Sequence, residues 1–590
     1  MTIPLTKLNP SPAPPRPYAA LPLLWAVVVL VLTLTPSDDM PRTPVWKLLS
    51  FDTAAHAGVF VVLAGLSWFS LHRQRRWPRL TRHAGWVVLV GSVLFGALIE
   101  VLQMTMKLGR HGEWSDLVSD SLGAGLAVGV AAIWARRTTR KPPLRASVIG
   151  LTLAASVAQA QDIPRVRQTI EKLASPTMHG RGYVQQGEHI AAEYLRRRLK
   201  ELKLEPLAAN YTQPFTLDVN TFPGKMTLTV IHTVTQDKII TNDLVPGKDF
   251  IVAPESGSSR GPQIAGAYRL DTLCFTSADS QHAMQQRVHQ LLKSGGKAFL
   301  VLTARDEKRL AALPPTLHQT LDSLPNRILL VPKLTASLAP IQAPGIRLEA
   351  LNQPAVWYYT NQRESADIVS YQVDAQLQRN YQTQNLAAVI RGTAHPDSFL
   401  IVSAHYDHLG MMGKSVYFPG ANDNASGVAM LLELAAHYAE PENRPACSVV
   451  FLLFGAEEAG LVGSQYSVAH PLVPLKNIKF LVNLDLLGTG EQGATVVNGR
   501  VFEAPYQRLA ALNEAHHYLS ALGARGRAAN SDHFPFSEAG VPAFFLYTRG
   551  GSSAYHDVND QPEALSLAGF TGAFGLVRDF LNEEGAAPKK

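Results

Sequence analysis

Apolar residues are distributed along this chain in two different ways. In the first part they form long unbroken runs, near Leu21–Thr35, Ala54–Leu71, Ala84–Ile99 and Leu117–Ala135. Each approaches the ~20 residues needed to cross a bilayer, and Tyr18–Ala20 can extend the short first run. Four α-helical spans are therefore expected over residues 17–140. The stretches HRQRRWPRLTRH (72–83) and RRTTRKPPLR (136–145) are strongly basic and belong on the cytoplasmic side. That places the N-terminus inside and leaves residues 36–53 and 105–116 outside. A fifth apolar stretch, RASVIGLTLAASVAQAQ (145–161), has a basic flank, a short apolar core and a small-x-small end at Ala158-Gln159-Ala160. This is the grammar of a secretory signal. Read as a signal or as a fifth span over 141–161, it carries everything after Gln161 across the membrane.

Beyond Asp162 the runs shorten and alternate with helical patterns. EHIAAEYLRRRLKELKL (188–204) has apolar residues at helical spacing. Residues 220–355 differ, with alternating strands such as MTLTVIHTV and loops such as APESGSSRGP, and are expected to form a β-rich insertion. Within them SGGKAFLVL (294–302) resembles the protease-associated domain of some secreted peptidases. From Asn385 onward SFLIVSAHYDH, GVAMLLELAAHYA, CSVVFLLFGAEE, KFLVNLDLLG and VPAFFLYT alternate strand with helix. Continuously apolar strands covered by helices predict a sheet buried on both faces. The expectation for 162–590 is thus a three-layer α/β/α domain with a mixed sheet and one insertion.

Composition refines this picture in two ways. A chain of 590 residues exceeds what one core supports, so about two to four domains are expected. Residues 1–145 hold 16 Lys/Arg against 7 Asp/Glu, so the +7 net charge of the whole chain belongs to the membrane-like part and gives no argument for nucleic-acid binding. Only two cysteines occur, Cys274 and Cys447, too few for a disulfide framework, and both are expected free.

The candidate chemistry collects where strands should end. His405 and Asp407 close SAHYDH, Asp423 lies in GANDNASG, Glu457 and Glu458 follow CSVVFLLF, Asp485 ends NLD, and His556 sits in AYHDVND. In open α/β sheets ligands bind beyond the carboxyl ends of the strands. Carboxylate and imidazole suit zinc when thiolates are absent. A pair of divalent ions roughly 3.5–4 Å apart needs a shared carboxylate to offset their repulsion. Asp407 can accept the second imidazole N–H of His405 and fix its tautomer. In an extended segment the side chains of Glu457 and Glu458 would point to opposite sides, so the two could serve different parts of one site.

HYDH, GANDNASG, GAEEAGLVGS, NLD, SDHFPF with AGVPA, and YHDVND resemble the secreted di-zinc aminopeptidase family. That family includes bacterial leucyl aminopeptidases and is related to glutamate carboxypeptidase and glutaminyl cyclase. The resemblance covers residues 162–590 apart from the insertion, and ASPTMHGRG (174–182) resembles the family's entry segment. It implies two Zn2+ per chain with Asp423 bridging them. His405 and Asp485 would complete one metal site, Glu458 and His556 the other. Asp407 would orient His405, and Glu457 would be the general base. His408 and His533 are expected in supporting or packing roles. The implied substrates are peptides with a free N-terminal amine. A carboxypeptidase or glutaminyl cyclase on the same fold, or a metal-containing binding module, are the alternatives.

SFDTAAHAGVF, ALIEVLQMTMKLGRHGEWSDLVSDSLGAG and the four apolar runs resemble the VanZ-like family. In the expected topology Asp52, His56, Glu100, Gln103, Arg110, Asp116 and Asp120 fall at or near the outer face, where ionisable groups within spans usually line a site. Together these readings place the protein in a bacterial cytoplasmic membrane, in contact with lipid, with the peptidase-like part periplasmic or extracellular.

Overall fold

The computed structural model describes parts of 22–30, residues 51–73, 84–106 and 127–128, and residues 162–586 except 236–237, 294–297 and 358–366. The chain divides into two compact units, Met1–Ala160 and Gln161–Lys590.

In the first unit two helices, Phe51–Arg73 and Ala84–Met106, pack through Ala64, Trp68, Ala84 and Val88, and through Phe60, Leu63 and Ile99. Opposite that seam Trp86, Val90, Leu94 and Leu98 form an exposed apolar stripe at four-residue spacing. Counting described positions only, no helix is long and apolar enough to cross a membrane. The four-span arrangement therefore does not rest on these helices. Asp52, His56, Glu100 and Gln103 fall on the two helices, but their side chains, like Arg110, Asp116 and Asp120 altogether, lie outside the described residues. So does the signal-like segment 145–161.

The second unit is built on a nine-stranded sheet. Its centre is four parallel strands in the order Cys447–Phe454, His395–His405, Ile478–Leu484 and Ala543–Thr548. Antiparallel strands Gln376–Ile390 and Ala494–Val497 flank them, so the sheet is mixed. The unbroken apolar runs have a simple cause. Leu400, Val402 and Ala404 enter one core, and Phe399 and Ile401 enter the core on the other face. Val449, Phe451 and Leu453 alternate in the same way with Val450, Leu452 and Phe454. Helices Ile163–Leu173, Gly187–Glu201, Gly427–Ala439 and Phe570–Ala586 cover the first face, while Val462–Ala469 and His533–Glu538 cover the second. Both cysteines are free and buried.

A second sheet of eight strands runs in the order Lys238–Leu244, Met226–Thr235, Asp367–Val373, Gln263–Arg269, Ala298–Thr303, Asn326–Val331, Arg347–Leu351 and Phe250–Val252. It departs from the expected β-rich insertion over 220–355 in two respects. Four of its strands are parallel and carry the helices Ala278–Lys293 and Pro315–Asp322 against one face. The strand Asp367–Val373 lies beyond residue 355, yet pairs with both Met226–Thr235 and Gln263–Arg269. Such pairing over more than a hundred residues leaves no local signal at a domain edge.

Two-faced burial has a measurable consequence. Leu453→Ala, in a fully buried central strand, should cost about 2–5 kcal/mol through lost transfer energy and the cavity left behind. Denaturant unfolding of the protein measures this, and a cost below about 1 kcal/mol would contradict the packing described.

Candidate metal centre

The parallel register explains why the candidate residues meet. Ser403 lies beside Asn483 and Ala404 beside Leu453, so His405 and Asp485 leave neighbouring strands side by side, one step from the end of Cys447–Phe454. Successive strand residues alternate faces, so His405 and Asp485 project on the same side as Ser403 and Asn483. Asp423 arrives from the turn that precedes the helix Gly427–Ala439.

Asp423 is the centre of the cluster. Its Oδ1 lies 3.3 Å from His405 Nε2, and its Oδ2 lies 3.2 Å from His556 Nε2. Beyond it the two sides separate. Asp485 Oδ1 approaches His405 Nε2 at 3.5 Å, and Glu458 Oε2 approaches His556 Nε2 at 3.0 Å. His405, Asp423 and Asp485 present ligand atoms close enough to hold one metal ion, and His405 with Glu457 and Glu458, or His408 with Asp423 and Glu458, do so as well. His408 Nδ1 takes the other Glu458 oxygen at 2.6 Å. His533 is fully buried and packed against Phe545.

The glutamate pair is placed differently from the sequence expectation. The strand ends at Phe454, and Ala456 adopts a left-handed φ of 59°. A turn follows, in which the Glu457 carbonyl accepts from the N–H groups of Gly460 and Leu461. The two carboxylates are therefore directed by a turn, not by strand alternation. Asp407 also has other partners than those expected. Its carboxylate lies 3.7 Å from His405 Nδ1, beyond hydrogen-bond reach, while its own carbonyl is nearer at 3.3 Å. The carboxylate instead accepts from the N–H groups of Glu457 at 3.1 Å and Glu458 at 3.4 Å, pinning the turn.

Electrostatics divides the neighbouring glutamates. Burial raises the Glu457 carboxyl well above the usual range, helped by Asp532, Glu458 and Asp485 and opposed by His405. Burial and Asp423 also oppose the charge on Glu458, but His556 and His408 outweigh them and bring it down to about 2. Burial opposes the charge on Asp423 too, yet hydrogen bonds from His405 and His556 hold it well below the usual range. Burial alone would lower His556, but Glu458 and Asp423 push it up to about 11. An acidic enclosure that draws protons onto its imidazoles is one that attracts cations. Asp485 Oδ1, buried, accepts no hydrogen bond among the described residues. The donor set and this open acceptor both fit divalent metal.

Two supporting residues escape a search for ligands. Arg181, in ASPTMHGRG, is fully buried and donates to the carbonyls of Leu173, Tyr406, Pro419, Gly420 and Asp423. Burial pulls its guanidinium down to about 10, against the attraction of Asp423, Asp560, Asp407 and Glu458. Gly420 makes room for it: at φ 59°, a Cβ there would lie 2.5 Å from Arg181 Nη2 and 2.2 Å from the Asp423 carbonyl oxygen. Asp560, in YHDVND, accepts from the N–H groups of Asn422 and Asp423 at 3.0–3.1 Å. Burial pushes it up to about 6, against those same N–H groups. A five-carbonyl partner set leaves no side-chain signature, and the resemblance of ASPTMHGRG to an entry segment assigned Arg181 no role.

Fold and site together define an α/β protein with a candidate metal centre of the metallopeptidase kind. The model of Peptidase family M28 matches residues 385–581, and that of VanZ/LLP1 matches residues 22–135. Aminopeptidase YwaD of Bacillus subtilis is 31% identical over 247 residues, covering 39% of this chain and 51% of its own. Among solved structures, a zinc aminopeptidase from Bacillus subtilis superposes with a TM-score of 0.52 at 19% identity, over 72% of this chain and 96% of that one. A Peptidase M28 precursor from Shewanella amazonensis gives 0.54 at 16% identity, over 75% and 98%. These structures share the fold. The chain spans about half the length of the YwaD relative it matches. It carries a Peptidase family M28 domain together with a VanZ-like domain.

The Arg181 cage predicts a specific loss. Arg181→Met leaves several buried carbonyls without donors, at about 1–3 kcal/mol for each that finds no water. The unfolding midpoint should fall accordingly, and Arg181→Lys, which keeps a cation and three donors, should restore part of it. An unchanged midpoint for Arg181→Met would contradict the role described.

Proposed function

We propose that this protein is an exported, membrane-tethered zinc aminopeptidase that removes N-terminal residues from peptides using a two-metal site. The observation that carries this reading is Asp423, whose two oxygens face two different histidines at 3.3 and 3.2 Å. A carboxylate so placed is suited to bridging. His405 and Asp485 would hold one zinc, and Glu458 and His556 the other. When bound, such a pair lowers the pKa of water and polarises the carbonyl under attack.

The chain's own residues then divide the work. Glu458, whose charge His556 and His408 favour, is suited to ligation. Glu457, raised by burial and neighbouring acids, is suited to exchanging protons. It would take the proton of the attacking water and deliver it to the leaving amine. Asp407 positions both by holding their backbone N–H groups. The peptidase domain would occupy 162–590, with the second sheet as its insertion.

For the N-terminal unit we propose four spans over 17–140, followed by the signal-like or fifth span 141–161. The exposed stripe Trp86, Val90, Leu94 and Leu98 supports lipid contact, because helices apolar on their outer face are not stable in water. The polar set Asp52, His56, Glu100, Gln103, Arg110, Asp116 and Asp120 is proposed to line an outward-facing site. A reporter fused after Asp162 should be active only when exported, and cytoplasmic activity there would refute the topology.

Chelation should abolish hydrolysis of aminoacyl substrates, and zinc should restore it, because ligand deprotonation and metal binding are linked. Hydrolysis by metal-free protein would refute the two-metal reading. Turnover restricted to acetylated or N-terminal glutamine substrates would move the activity to a carboxypeptidase or cyclase.

The glutamates should separate in a paired measurement of zinc content and kcat. Glu457→Gln should retain both ions and lose kcat by a factor of ~100–10,000. Glu458→Gln should lose one ion and recover partly in excess zinc. The reverse pattern would exchange their roles.

A further inference from the structure

We propose that the second-sheet domain is a positioning element for the His556 half of the metal centre, acting through Ala336 and Lys333. This rests on the reading of His556 as a ligand. The clasp has two points: His556 Nδ1 donates to the Ala336 carbonyl at 2.8 Å, and the Ala336 N–H donates to the His556 carbonyl at 3.1 Å. A carbonyl can only accept, so in the neutral ring Nδ1 carries the proton. The Nε2 lone pair is then directed at the side where Asp423 and Glu458 lie.

The clasp holds a residue that would not hold itself. His556 sits at a left-handed φ of 54°, which a non-glycine residue adopts only when its surroundings compensate. Lys333 Nζ secures the preceding turn by donating to the carbonyls of Ser553 at 2.5 Å and Tyr555 at 3.3 Å. The Tyr555 ring stacks on the imidazole with centroids 3.8 Å apart. On the far side, Val558 packs against the core of the second sheet. Leu409, Met412 and Phe418, which follow His408, are part of that same core.

The His405 half is supported by other means. Asp485 Oδ2 accepts from Ser531 at 2.8 Å, Ser531 accepts from Asn483 at 2.8 Å, and Asn483 accepts from Ser403 at 2.7 Å. Ser403 and Asn483 lie on strands of the peptidase sheet. The second core thus holds His556, while the first sheet holds His405, Asp485 and the turn that carries Glu458, so loosening the second sheet should weaken the ion on the His556 side and spare the other.

The test is a zinc-binding isotherm of the full-length protein in detergent micelles, against a competing chromophoric chelator. Wild type should bind two ions. Lys333→Met, which frees the turn that presents His556, should weaken one of them, by up to the ~10–100-fold that loss of a ligand's direct outer partner costs. The other ion should be unaffected, and Lys333→Arg should behave as wild type. Ala336→Pro, which removes the N–H of the clasp, should weaken the same ion. Lys333 is exposed, so its substitution should leave the unfolding midpoint in place. If wild type binds two ions and Lys333→Met binds both as tightly, or loses both alike, this inference is wrong while the two-metal reading stands. If wild type binds one ion, the two-metal reading fails and this inference with it.

Discussion

Burying like charges together is the constraint on which the rest of this site depends. Asp407, Asp423, Asp485, Glu457 and Glu458 converge at the ends of adjacent strands, where low dielectric magnifies every repulsion. Such an arrangement persists only if positive charge is supplied within it or hydrogen bonds hold the acids in place. His405, His408 and His556 supply part of that charge, and the donor set suits zinc for the remainder.

Much of the surrounding structure is arranged to keep the acids from relaxing apart. Asp407 spends its carboxylate on two backbone N–H groups and so fixes the turn that carries both glutamates. Asp560 does the same for the backbone of Asn422 and Asp423. Arg181 ties five carbonyls of three separate segments beneath them. Each of these contacts removes a freedom that repulsion would otherwise use. The site is consequently stiff without being built from one element.

The sheet supplies that stiffness economically. Parallel strands ending at one edge bring His405, Asp485 and the glutamate turn together from positions far apart in sequence, and the alternation that fills two cores also directs His405 and Asp485 to one face. The second sheet adds what the first cannot reach, a carbonyl behind His556. The geometry of the site and the packing of the second sheet thereby meet at Ala336.

The sequence by itself determined the two-sided burial of the central strands, since a strand with no polar face has nowhere to sit except between two layers. It also identified the acids and histidines, because their residue types and their places after apolar runs are local facts. Contacts between segments distant in sequence were decided by the tertiary structure alone. Left-handed Ala456 turns the glutamate pair out of strand alternation, and nothing in FGAEEAG marks that residue for such a conformation. Asp407 was readable as a neighbour of His405, but its carboxylate serves Glu457 and Glu458 on the adjacent strand's end. Arg181 and Ala336 act on or through backbone carbonyls, which every residue possesses, so no side-chain pattern could single them out. The strand Asp367–Val373 pairs with Met226–Thr235 across a long separation, and only the folded chain shows where the second sheet ends.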